Sequence, residues 1–229
     1  MMEIVSVVKK IEAYWDKRSD SFDADHDTED LQEWMEALEC LLGSDKNRNV
    51  LDLGTGTGFL ANMTAKLGYS TIGIDISKEM MNFGVKHAKT VGSDAIFMEG
   101  SVLELPFMDN TVDFIINSRL IWTLVEPDVA IKEWLRILKP GGKIMCFNRM
   151  KEGVGLNIGK VNIYEDEEVD KQLAIKGARM EELRDLLERN GLVDVQIQKL
   201  SGLTRPGYDY DPWFVLMGTK DEAENRFIS

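Results

Sequence analysis

The chain has 229 residues, 44% of them hydrophobic and 29% charged, which is the composition of a folded domain and not of a disordered segment. Its 40 acidic and 27 basic residues give a formal net charge of −13, which repels phosphate backbones and anionic lipids and sets nucleic acid aside as a partner. Two cysteines (Cys40 and Cys146) and two histidines (His26 and His87) cannot assemble a thiolate or imidazole metal cage, so no metal is expected.

Both thiols are expected to be buried in a reducing compartment. The start of the chain has no basic leader with an apolar core, and no stretch approaches the ~20 apolar residues that span a bilayer. A cytoplasmic protein without membrane insertion is the expectation.

In chain order, residues 3–17 carry Ile4, Val7, Val8, Ile11 and Trp15 at helical spacing, and the acid-rich stretch Ser19–Asp30 reads as a loop. Thr28 or Asp30 then caps a second helix with Leu31, Trp34, Met35, Leu38, Leu41 and Leu42 on one face, ending at Gly43. Short apolar strands follow at Val50–Leu53, Thr71–Asp75, Ala95–Met98, Val112–Ile116 and Lys143–Phe147. Helical patterns lie between several of them: Leu60 to Leu67, Met80 to Ala88 behind a Ser77 cap, and Asp128 to Leu138 before Pro140-Gly141-Gly142. Such alternation predicts a doubly wound, mostly parallel sheet covered on both faces. The acidic run Glu165–Asp170 is a solvated loop or a helix start, and a further helix spans Arg179–Asn190. Strands at Val193–Leu200 and Trp213–Thr219 follow without a helix between them, which predicts an antiparallel pair at the sheet edge.

The segment Val50-Leu51-Asp52-Leu53-Gly54-Thr55-Gly56-Thr57-Gly58-Phe59 carries the most information. Alternating glycines between a strand and a helix let the backbone turn sharply and approach a ligand. Asp75, 21 positions after Gly54 and at the end of the next strand, has the spacing of a carboxylate that accepts from ribose hydroxyls. A dinucleotide fingerprint needs a small residue where this chain has Phe59, and Asp52 would repel a pyrophosphate. The residues ask for a ligand with a ribose, a positive charge and no phosphate.

S-adenosylmethionine answers that description, and the chain resembles the class I methyltransferases. The marks are Val50–Gly58, Gly73-Ile74-Asp75-Ile76-Ser77, Leu105-Pro106-Phe107, Val112–Ile116 and Leu138-Lys139-Pro140-Gly141-Gly142. Tyr14-Trp15-Asp16 and Ser21-Phe22-Asp23 resemble the N-terminal cap of the small-molecule branch that includes ubiquinone and menaquinone C-methyltransferases. The resemblance implies a Rossmann-like, doubly wound α/β fold with a seven-stranded sheet and a helical N-terminal cap. It also implies one methyltransferase domain over 1–229: cap 1–43, cofactor core 44–150, and a substrate-side and sheet-edge part 151–229. Carried onto this sequence, Gly54, Thr55, Gly56 and Gly58 would line the methionine and ribose, and Asp75 would take the hydroxyls. Ile76 and Met80 would pack on the adenine, Ser101 and Val102 would meet its edge, and Asn117 or Ser118 would sit under the sulfonium. Tyr14 on the cap would touch the cofactor. Where the family usually has Gly-Asp-Ala, this chain has Gly100-Ser101-Val102, so either adenine is held without charge or Glu99 or Glu104 substitutes.

The implied reaction moves a methyl group to a small-molecule acceptor by in-line displacement, in a monomer or homodimer. Alignment supplies much of the barrier reduction, and a base is required only if the nucleophile must lose a proton. At the acceptor, Arg119 would clamp a carboxylate or phosphate or else pair with a surface acid. Trp122 would wall the methyl group or pack in the core, Asn148 and Arg149 would orient the acceptor, and His26 would be a base if its loop folds inward. Trp15 and Phe22 would form a lid or anchor the first helix. His87 is expected on the surface of its helix. A nicotinamide-dependent oxidoreductase is the first rival, disfavoured by Phe59 and by the absence of a Tyr-x-x-x-Lys pair. A nucleoside-binding regulatory protein without transfer activity is the second.

Overall fold

The computed structural model describes residues 2–23, 29–156, 158, 161–203 and 212–222. His26 and the alternative cap Thr28 lie outside them.

Helix α1 runs over Met2–Phe22 and α2 over Leu31–Leu42. Strand β1 (Asn49–Leu53), α3 (Phe59–Lys66), β2 (Ser70–Asp75), α4 (Lys78–Val91) and β3 (Ile96–Glu99) follow. Next come β4 (Val112–Ser118), a 3-10 turn (Ile121–Thr123), α5 (Pro127–Ile137) and β5 (Leu138–Lys151). The chain continues through β6 (Gly155–Leu156), α6 (Glu167–Gln172), α7 (Met180–Arg189), β7 (Leu192–Lys199) and β8 (Trp213–Lys220).

The main sheet has the order β3-β2-β1-β4-β5-β8-β7. The strand pairs from β3 to β5 are parallel, and β8 joins β5 and β7 antiparallel. Seven strands and the antiparallel edge match the sequence reading. The eighth, two-residue β6, pairs with the end of β5 and was not foreseen, because two residues carry no periodicity.

Local chemistry explains the helix starts. Asp30 accepts from the Gln32 and Glu33 N–H groups at α2, Ser77 from Met80 N at α4, and Asp166 from the Glu168 and Val169 N–H groups at α6. Each satisfies donors that the first turn leaves free.

Three expectations need correction. Helix α1 continues past residue 17 to Phe22, where a loop was expected. Within the helix the Ser19 hydroxyl donates to the Asp16 carbonyl and Phe22 packs edge-on against Trp15 at 5.8 Å, and the Phe22 ring also seats on the glycine turn at Gly56, so local and tertiary contacts together carry the helix through its polar end. Strand β5 starts at Leu138, before the Pro-Gly-Gly turn, which is absorbed as an irregularity opposite Val112 and Phe114. Cys40 is exposed, and only Cys146 is buried.

Two apolar layers cover the sheet. Trp134, Ile131, Leu183, Leu186 and Leu187 from α5 and α7 share one with Val7 and Ile11 from α1. Trp34, Leu38 and Leu42 of α2 share the other with Leu60 and Met63 of α3. The two N-terminal helices thus lie in different layers: α2 is a packed core helix, and α1 borders the cavity described next. Among the described residues, no helix is long and apolar enough to cross a membrane.

Candidate active site

The β1–α3 turn is built on left-handed backbone. Gly54, Gly56 and Gly58 have φ of 61°, 56° and 84°, where a side chain is strained. A Cβ on Gly54 would also fall 2.7 Å from the Leu120 side chain. The turn is stitched to β2 by the Thr55 N–H donating to the Ile74 carbonyl at 2.9 Å.

Asp75 ends β2 beside that turn. One carboxylate oxygen accepts from the Gly56 N–H and the other from the Ser77 N–H, each at 2.8 Å. These bonds fix the group in place and leave lone pairs for further donors. Burial outweighs them and pushes its pKa up to about 6.

A cavity of about 340 Å³ opens from this point towards the carboxyl end of β4. Gly54, Gly56, Asp75, Ile76, Met80, Ser101, Val102 and Leu103 line one end. Ser118, Arg119, Leu120, Trp122 and Thr123 line the other, and α1 covers it with Val8, Ile11, Tyr14, Trp15, Arg18 and Phe22.

Two anchors hold α1 there. Asp16 accepts from the Ser77 hydroxyl at 2.6 Å and the Glu79 N–H at 3.3 Å, on the first turn of α4. Lys10 pairs with Asp166 at 2.9 Å, at the start of α6. An aromatic group completes the cover: Tyr14 and Tyr164 meet edge-on at 4.9 Å, and the Trp15 indole N–H donates to the Tyr164 hydroxyl.

Of the residues proposed from sequence, Tyr14, Gly54, Gly56, Asp75, Ile76, Met80, Ser101, Val102, Ser118, Arg119 and Trp122 stand on this wall. Among the described residues, Asp52, Thr55, Gly58, Asn117 and Asn148 are not on it. Asp52 was expected to face a cationic amine; instead its carboxylate accepts from the Thr55 hydroxyl at 2.7 Å and the Ala61 N–H at 3.1 Å. It braces the turn from behind, and burial raises its pKa to about 7. Thr55 packs under Gly73, where a Cβ would lie 2.6 Å from its hydroxyl. Gly58 forms the start of α3 against Phe97 and Asn62. The Asn117 amide donates to the Cys146 sulfur at 3.2 Å, and Asn148 is buried.

Position also bears on the adenine edge and corrects the surface placement expected for His87. Neither Glu99 nor Glu104 reaches the cavity wall, so Ser101 is the polar group there. His87 is half-buried, its Nε2 3.1 Å from Asp23 at the end of α1 and its Nδ1 3.1 Å from the Thr57 carbonyl. Sequence reasoning missed Arg18, Val8 and Ile163 on the wall. Arg18 had a signal: it lies one helical turn after Tyr14 and one before Phe22, on the same face.

These residues fit S-adenosylmethionine. The glycine faces admit a close chain, Asp75 offers acceptors to vicinal hydroxyls, and Ile76, Met80, Val102 and Leu103 form an apolar slot for a base.

The comparisons agree. Residues 51–146 match the methyltransferase domain family. A demethylmenaquinone methyltransferase of Renibacterium salmoninarum is 28% identical over 139 residues, 59% of this chain and 57% of that protein. The ubiquinone/menaquinone biosynthesis C-methyltransferase of Rickettsia typhi is 34% identical over 118 residues, 47% and 48% of the two. The chain thus spans about half the length of these two relatives. Among solved structures, an S-adenosylmethionine-dependent methyltransferase of Aquifex aeolicus superposes with a TM-score of 0.62 at 20% identity, covering 89% of this chain and 97% of that one. Parallel sheet, glycine turn and ribose-spaced acid define a nucleoside-binding α/β protein. With the sequence match over residues 51–146, they make the chain similar to the class I S-adenosylmethionine-dependent methyltransferases.

Proposed function

We propose that the chain, as one domain, transfers a methyl group from S-adenosylmethionine to a small-molecule acceptor. The observation that carries this is a single cavity joining the glycine turn and Asp75 to the β4 end, with α1 over it. Bound there, the sulfonium supplies an activated methyl group for in-line displacement. The protein's own part is positioning and exclusion of water. Gly54, Gly56 and Asp75 hold the ribose and methionine portions, Ile76, Met80, Ser101 and Val102 take the base, and Ser118 lies beneath the reacting centre. Tyr14, Arg119 and Trp122 border the acceptor. Asp52, Thr55 and Gly58 shape the turn, and Asn117 and Asn148 shape the strand ends behind it. A base is needed only where the acceptor must lose a proton. The relatives' names favour an apolar, quinone-like ring as the acceptor.

Calorimetric titration with S-adenosylmethionine, S-adenosylhomocysteine and NAD tests the cofactor assignment. The first two are expected to bind and NAD is not. NAD binding in their place refutes it. Transfer of tritiated methyl into fractionated metabolites tests the activity itself.

A further inference from the structure

The chain has five tryptophans, and four of them give their indole N–H to another protein group. Trp15 donates to the Tyr164 hydroxyl at 3.3 Å, and Trp134 to the Val102 carbonyl at 2.9 Å. Trp34 and Trp213 both donate to the Glu29 carboxylate, at 3.2 and 3.3 Å. Trp122 is the exception. It is 5% exposed, its Nε1 is shut off from bulk solvent, and among the described residues that nitrogen has no partner.

An indole N–H can only donate, and burying it unpaired forfeits the hydrogen bond it would make with water. Its place is nevertheless fixed. Trp122 is the middle residue of the 3-10 turn, where the Leu120 carbonyl accepts from the Thr123 N–H at 2.8 Å and from the Thr123 hydroxyl at 2.7 Å. The neighbouring Ile121 is fully buried, and the Trp122 ring lies 6.3 Å from the Tyr164 ring, whose hydroxyl is already taken by Trp15.

Trp122 belongs to the cavity wall, at the end away from Asp75. A second buried polar atom on the same stretch of wall, Ser118 Oγ, also lacks a partner among the described residues. Leu124, Val125 and Ile163 make the wall around them apolar, and α1 adds the rings of Tyr14, Trp15 and Phe22. Buried polar groups in folded proteins are paired almost without exception. On an apolar wall closed to bulk water, the occupant of the cavity is the partner within their reach, and for Trp122 it must present an acceptor atom.

From this geometry we infer that the methyl acceptor is an apolar, ring-bearing molecule with an oxygen on its ring system, a carbonyl or a hydroxyl, that accepts the Trp122 indole N–H. Trp122 thereby selects an oxygenated ring over a hydrocarbon of the same shape. The inference rests on the methyl-transfer reading and narrows it to a class of substrate.

The test uses the full chain, isotopically labelled at its tryptophan nitrogens and saturated with S-adenosylhomocysteine. Its probes are 2-acetylnaphthalene, 2-naphthol and the oxygen-free 2-ethylnaphthalene. The Trp122 indole proton, assigned by its loss from the spectrum of Trp122→Phe, is expected to move downfield with at least one oxygenated probe and not with the hydrocarbon. By calorimetry, Trp122→Phe weakens that probe about 3- to 10-fold, the worth of one neutral hydrogen bond, and changes the hydrocarbon by less than about twofold. No binding of either oxygenated probe, an indole proton indifferent to both, or equal losses for oxygenated and apolar probes in the variant overturns the inference. Loss of S-adenosylhomocysteine binding in Trp122→Phe assigns the residue to the cofactor and overturns it as well. If the variant does not fold, the spectra of the unmodified chain decide: the inference fails unless one indole proton moves with an oxygenated probe alone. Failure of the unmodified chain to bind S-adenosylhomocysteine refutes the cofactor assignment instead.

Discussion

Asp52 and Asp75 are both carboxylates at the ends of adjacent strands, and their surroundings give them different work. Asp75 faces the cavity with both oxygens oriented by backbone N–H groups, while Asp52 faces inward to Thr55 and Ala61. Replacing Asp75 with Ala is predicted to weaken S-adenosylhomocysteine binding at least about 10-fold, or roughly 1.5–3 kcal/mol for a lost charge-assisted contact. Unchanged affinity by calorimetry would mean that the ribose lies elsewhere. Hydroxyl donors need the ionised form, and burial sets that ionisation near pH 6. Affinity should therefore hold above about pH 6 and fall as the pH drops through it, with Asp75→Asn removing that dependence. Asp52 runs the opposite way for stability. Its pKa rises on folding from 3.8 to about 7, so the folded state holds a proton that the unfolded state has released. The cost of its charge is absent below about pH 4, grows with pH, and is complete above about pH 7.

At the scale of elements, α1 is the part whose place most affects the site. It roofs the acceptor end, yet its anchors are few: Asp16 on α4 and Lys10 on α6. Lys10 and Asp166 are only partly buried and well reached by solvent, so their ion pair adds little. Asp16→Ala removes two hydrogen bonds to the turn that follows Asp75, at a cost of about 1–2 kcal/mol. Faster amide exchange along α1, with exchange in β1 and β4 unchanged, is the expected outcome. Equal protection of α1 in both proteins would show that the aromatic contacts alone hold it. The family match begins at residue 51, so this covering helix lies outside the matched segment.

Across the whole molecule, the sheet separates two apolar layers, and the cavity belongs to the layer shared by α1, α5 and α7. Trp34, on the opposite face, is fully buried and packs edge-on against Phe59, Phe147 and Trp213. Its truncation to Ala is predicted to cost about 3–5 kcal/mol in urea unfolding, as for other large buried aromatics. Cofactor affinity of the folded protein should stay the same, because the sheet stands between the two. A matching loss of affinity would show that the faces are coupled.

The strands of the main sheet and the helices α2 to α5 are written locally. Four- to six-residue apolar runs, Ser77 and Asp30 as caps, and glycines at positions of positive φ each act within a few residues. That is why the sheet, its antiparallel edge and the turn beside Asp75 were legible in the amino-acid order. What a side chain faces is settled by elements far away in the chain. Phe22 ends α1 on the glycine turn at Gly56, and Arg18 reaches the cavity on a helix that Asp16 docks onto α4. Local spacing fixed the scaffold and the cofactor end; long-range packing alone chose the walls of the acceptor end, since burial and charge there are shared among segments that no single stretch of sequence contains.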